Sequence, residues 1–253
     1  MEKVIGMNEK IRKKGNEYAG KSVFCAGRNP KIINFYGMED LADIYLYMAT
    51  ILSRLGKKVL VIDNSKEHLF SECIPGLPDA SGIVEFRYIS YMKDKQYDED
   101  FFFLYDVILN ICGYNYDEEM DEKSDFSYVI MDYQKVHFLK FRSIAQRLMH
   151  EYRVIYRDFS NERYNAQYIE FSMGAERSRI IDRYVISLAP QDYTNMMQVQ
   201  YSMIFFFEHL SLSYRQVLAD ITAEIYHELS GAALGLLNLN RQHFIQEYWR
   251  SKS

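Results

Sequence analysis

Residues 31 to 63 constrain the fold more than any other part of the sequence, because they spell a strand, a helix and a second strand in direct succession. The run Lys31-Ile-Ile-Asn-Phe-Tyr36 is apolar, ends at Gly37, and reads as a buried strand followed by a turn. Leu41, Ile44, Tyr45, Met48, Ile51, Leu52 and Leu55 then recur at steps of three and four. That spacing predicts an amphipathic helix over 39–55, with Gly56 as its stop. Val59-Leu-Val-Ile-Asp63 is a second continuous apolar strand. Two strands joined by a helix in so short a stretch form a βαβ unit, which demands a right-handed crossover and a parallel sheet.

The rest of the chain repeats this alternation. Residues 82–90 read as a strand or a short helix and 101–112 as a helix. Residues 126–132 read as a strand, 138–152 as a helix, and 153–157 and 184–189 as strands, the last just before Pro190. A Met- and Phe-rich core helix is expected over 193–210, and 213–253 is expected to be mostly helical. The fold class is therefore α/β: a doubly wound, mostly parallel sheet flanked by helices, with a helical C-terminal tail. The expected division is a polar, mildly basic tail at 1–22, an α/β domain at 23–212, and a helical extension at 213–253 packed on that domain or extending it.

At 253 residues and 48% hydrophobic, with 12 Gly and 4 Pro, the chain can bury one large core and is neither disordered nor linker-rich. A net charge of −5 argues against a globally basic nucleic-acid binder. Cys25, Cys73 and Cys112 are far apart and make no metal spacing, which suits free thiols in a reducing cytoplasm. No signal peptide is visible, and the longest apolar run, 203–207, is too short for a membrane span. The six histidines form no metal motif, and no Gly-x-Ser-x-Gly elbow is present, so no catalytic or metal-ligating residues are assigned.

The run Ile32–Gly37, then Met48-Ala-Thr-Ile-Leu-Ser-Arg-Leu-Gly-Lys-Lys-Val-Leu-Val-Ile-Asp63, resembles the ParA/MinD family of partitioning and positioning ATPases. Phe126-Ser-Tyr-Val-Ile-Met-Asp132 resembles that family's later strand ending in a metal-side aspartate. The strand ending at Pro190 resembles its strand beside the base pocket. The resemblance implies a P-loop NTPase-like fold and makes Gly37, Asp63, Asp132 and Pro190 the vestigial nucleotide-site positions.

The family's phosphate loop carries several glycines, a signature lysine and Gly-Lys-Thr. Here the segment is Gly37-Met38-Glu39-Asp40-Leu41-Ala42-Asp43, and Arg54 is the only basic residue between Ile32 and Gly56. Carboxylates in the first turn suit the helix dipole and repel a triphosphate. Asp63-Asn64-Ser65 and Asp132-Tyr133-Gln134 also depart from the family's Asp-x-Asp-Pro and Asp-x-Pro. The expectation is a non-catalytic ParA/MinD-like pseudo-ATPase without cofactor, a cytoplasmic scaffold or positioning adaptor for a machine such as pilus or secretion apparatus. It would bind protein partners, a second copy of the chain in a homodimer being one option. The alternative is a divergent ATPase that binds ATP or ADP with magnesium through Asp63, Asp132 and the loop near Pro190, with slow turnover. A further alternative, DNA-contacting partition or regulation, rests on eight arginines between Lys140 and Arg183, with Arg177, Arg179 and Arg183 the strongest part.

Two further stretches invite partners. The acidic run from Asp117 to Asp125 reads as a solvated loop or a dock for a basic partner. Leu237, Phe244, Ile245, Tyr248 and Trp249 share one side of a C-terminal helix. That helix would be packed, would pair with a partner helix, or would lie on the inner face of a membrane like the helix that ends MinD-type proteins.

Overall fold

Lys31–Gly37 forms strand β1 of an eight-stranded sheet in the computed structural model, which describes residues 29–94, 99–158, 166–174 and 179–239. Chain order continues with α1 (Ala42–Arg54), β2 (Val59–Asp63), α2 (Leu69–Cys73), β3 (Ile83–Phe86), β4 (Ile89–Lys93), α3 (Glu99–Phe102), β5 (Val107–Gly113) and α4 (Glu118–Glu122). Then come β6 (Phe126–Met131), α5 (Lys135–Ala145), β7 (Tyr152–Arg157), α6 (Ala166–Ser172), β8 (Ile180–Ile186), α7 (Pro190–Ser202), α8 (Leu212–Ile225) and α9 (Ser230–Leu236). The spatial order is β3-β4-β2-β5-β1-β6-β7-β8, parallel throughout except for the β3–β4 hairpin. Helices α1, α7 and α8 pack on one face, α5 and α6 on the other beside the short α3 and α4. This is the doubly wound sheet that the βαβ unit dictates. Strands β1, β2 and β5 are buried on both faces, which is why their sequences are mostly apolar without strict alternation, Asn34 and Asn110 being the polar interruptions.

Three local expectations are corrected. Residues 101–112 are not a helix: Glu99–Phe102 makes one helical turn, and Val107–Gly113 is β5, wedged between β1 and β2. The stretch 82–90 spans most of an antiparallel hairpin, β3 and β4, turned by Arg87 and Tyr88 in the left-handed region (φ 52° and 64°). The Met- and Phe-rich helix ends at Ser202, where Met203 turns left-handed (φ 54°). Beyond it Phe205 and Phe207 are buried while Ile204 and Phe206 face outward, the alternation of an extended segment rather than of a core helix.

The edge strand β8 is blunted. Its register with β7 leaves the backbone groups of Arg183, Val185 and Ser187 facing outward. The Arg183 N–H donates to the Asp182 carboxylate, the Ser213 hydroxyl donates to the Val185 carbonyl, and the Ser187 N–H donates to the Ser213 hydroxyl. The tail expected at 1–22, Cys25, Arg177 and the positions from Phe244 to Trp249 lie outside the described residues. No helix among the described residues is long and apolar enough to cross a membrane.

Candidate functional site

The connections leaving β1 and β6 go to opposite faces, so the crevice at their carboxyl ends is the topological switch point, where open α/β sheets place ligands. Gly37 closes β1 there. Its φ of +100° excludes a side chain, and a Cβ would stand 2.2 Å from the Ile130 carbonyl oxygen. The chain crosses so close to β6 that the Met38 N–H donates to that same carbonyl (3.2 Å).

Glu39 then turns into the crevice. Its Oε1 accepts from the backbone N–H of Tyr114 (3.0 Å), at the end of β5. The side chain lies across Gly113 so closely that a Cβ there would meet the Glu39 Cγ at 2.4 Å. A backbone N–H in the crevice beyond the carboxyl ends of such strands could donate to a bound anion. Here the anion it holds is the chain's own carboxylate.

Asp63 and Asp132 are likewise engaged by their own loops. Asp63 Oδ1 accepts from the Ser65 N–H and hydroxyl, and its Oδ2 from the Ser71 N–H and hydroxyl, at 2.6–3.2 Å. Asp132 Oδ1 accepts from the Gln134 N–H (2.9 Å) and lies 2.6 Å from His137 Nδ1, and Oδ2 accepts from the Gln134 amide (3.0 Å). Burial alone would push the Asp132 carboxyl up. The bonds from His137 and Gln134 outweigh it and hold the group below the usual carboxylate range. Pro190 is the first residue of α7, with the Asp192 carboxylate accepting from the Ala189 N–H (2.8 Å), and takes part in no cluster with the other three positions.

Beside Glu39 opens a cleft of about 370 Å³ lined by Glu39, Lys66, Glu67, Tyr114, Lys140 and Ser143, among others. Its two lysines face two carboxylates. Lys140 is drawn over the Tyr114 ring (5.0 Å to the ring centre), which also stacks on His137. Magnesium with a nucleoside triphosphate does not fit these residues. No lysine lies between Gly37 and Gly56, the Tyr114 N–H is taken, and both oxygens of each aspartate already accept hydrogen bonds. Among the described residues no group of three His, Cys, Asp or Glu side chains could hold a metal ion.

Sequence reasoning missed two parts of this end of the sheet. Asp43, read as a helix-dipole residue, forms a buried two-pronged ion pair with Arg157 at the end of β7 (3.1 and 2.9 Å) and accepts from the Tyr214 hydroxyl (2.6 Å). Burial would lower the Arg157 pKa, but the Asp43 charge overrides it and raises it. Asn64, Asn110 and Asn34 form a ladder across β2, β5 and β1: the Asn64 amide donates to Asn110 (2.6 Å) and the Asn110 amide to Asn34 (2.9 Å). An asparagine inside each of two apolar strands was the available signal.

Two charged stretches are partly engaged within the fold. In the acidic run, Asp117 caps α4, Asp121 is fully buried and accepts from the Met149 N–H, and Asp125 accepts from the Ile32 N–H. These three carboxylates fasten the run, while Glu118, Glu119 and Glu122 are exposed. Of the arginines singled out for DNA, Arg179 donates to the carbonyls of Leu148 and His150, and Arg183 pairs with buried Glu170. Both are engaged internally, while the Arg183 side chain stays 39% exposed.

No protein-family model and no characterised protein sequence matches the chain. Among solved structures it is similar to a ParA family ATPase from Chlorobium tepidum (13% identity, 68% of this chain and 90% of that one, TM-score 0.48). It is also similar to MinD in the MinC:MinD cell division complex of Aquifex aeolicus (16%, 68% and 87%, TM-score 0.47). A third is a plasmid partition protein from Borrelia burgdorferi bound to AMPPNP (15%, 77% and 99%, TM-score 0.46). At these identities the likeness is one of fold layout.

Proposed function

We propose that the chain is a non-catalytic ParA/MinD-like protein that works by binding, as a scaffold or positioning adaptor for a larger assembly such as pilus or secretion machinery. One observation carries this reading: the Glu39 carboxylate fills the anion position at the switch point, held by the Tyr114 N–H over Gly113. A triphosphate entering there would meet Glu39 at a few ångströms with no lysine of the loop to offset it. The crevice is thereby fixed in one state instead of being switched by a nucleotide.

Thermal unfolding in millimolar ATP, ADP or GTP with magnesium tests the reading. A ligand at 100 times its Kd adds about 2.7 kcal/mol of stability. The expected result is an unchanged Tm and no phosphate release; a rise of several degrees would favour the divergent-ATPase alternative.

A further inference from the structure

Helices α5 and α6 enclose a groove of about 520 Å³ on the face of the sheet opposite α1. Its floor is apolar: Phe138 and Ile169 line it and are nearly or fully buried. Its rims are apolar too, yet open to solvent. Leu139 on α5 is 54% and Tyr168 on α6 53% exposed. Large side chains left out on both walls of one concavity mark a contact surface rather than scattered surface residues.

Among the described residues that line the groove, the charge has one sign. Lys135 and Arg142 line it, seven residues apart on α5, which puts them on one side of the helix about 10 Å apart. The stem of Arg142 runs beside Gly174, just beyond α6, where a Cβ would stand 3.4 Å from its Cγ. No carboxylate occurs in the sequence between Asp132 and Glu151, and the one carboxylate of α6, Glu170, is buried against Arg183 and Tyr156. In a chain of net charge −5, this is a cationic surface surrounding an apolar cleft.

We infer that the groove between α5 and α6 docks an acidic amphipathic helix of a partner protein, its apolar face in the cleft and carboxylates two turns apart meeting Lys135 and Arg142. Concavity favours a helix over a lipid surface, which is flat at this scale. An apolar floor between the cations favours it over a nucleic-acid backbone, which needs a row of phosphate contacts. The inference rests on the reading that this protein acts by binding a protein, and it names the chemistry of that partner.

A displayed library of helical peptides, selected on the full chain, tests it. The expected winners carry Leu, Ile or Phe at i, i+3 or i+4, and i+7, bracketed by Asp or Glu. Fluorescence anisotropy with a winning peptide should show binding weakened about tenfold or more by Lys135→Glu with Arg142→Glu, and weakened again by added salt. A peptide with its acids changed to Lys should recover binding to that double variant, a rescue that misfolding could not produce. The inference is overturned if no peptide is enriched, if the winners lack acids, or if they bind the double variant and Leu139→Glu as well as the unaltered chain. It is equally overturned if anionic vesicles or duplex DNA, and not the peptides, lose binding on these substitutions. Nucleotide titration is unaffected by any of these outcomes, so failure of the groove and failure of the non-catalytic reading remain separable.

Discussion

Asp43 opens α1 with its side chain turned inward, where Arg157 and the Tyr214 hydroxyl satisfy it. Removing one member of such a buried pair leaves the other charge without a partner, which costs about 3–5 kcal/mol. Asp43→Ala is therefore expected to lower the unfolding free energy by that amount in a urea titration; a loss below about 1 kcal/mol would contradict the pairing. Asp132 gives a prediction in pH. Its carboxyl titrates below the ordinary value of 3.8, so its contribution to stability is complete above that value and is lost as pH falls through the lower folded one. The stability difference between the chain and Asp132→Asn should shrink as pH drops from about 5 to about 2; a constant difference would contradict it. Neither role was legible from sequence alone. Arg157 stands 114 positions from Asp43, and no local pattern announces a contact that the sheet must fold to create.

The strands show where periodicity informs and where it fails. β1, α1 and β2 follow the expected strand–helix–strand order, but the helix starts three residues later than 39–55 and is buried on all sides from Ala42 to Leu52 instead of being amphipathic. β5 was misread because Phe101, Phe102, Tyr105, Ile108 and Cys112 fall at helical spacing, while Val107–Gly113 is buried on both faces and so carries no alternation. An apolar run of that length is ambiguous until its neighbours are known. The blunted edge of β8 yields the prediction proper to this scale. Asp182→Val with Ser213→Ala frees the Arg183 N–H and the Val185 carbonyl beside exposed Ile181 and Val185. Light scattering should then detect concentration-dependent association beyond that of the unaltered chain. A double variant as monodisperse as the parent would show that the two side chains do not guard the edge.

In the whole molecule, one sheet with helices on both faces brings the loops after β1, β2, β5 and β6 to a single crevice, and there the chain's own carboxylates make the contacts a bound anion would otherwise make. The absence of a lysine and of repeated glycines after β1 was visible in the sequence. What the sequence could not show is that Glu39 reaches β5, since that contact depends on Gly113 and on the register of β1 against β5. The central claim is that this crevice takes no nucleotide, and calorimetric titration of magnesium-ATP into the full chain tests it most directly. The predicted result is no binding heat at nucleotide concentrations up to about 1 mM, a limit of about −4 kcal/mol. Micromolar binding that Asp132→Ala abolishes would contradict it.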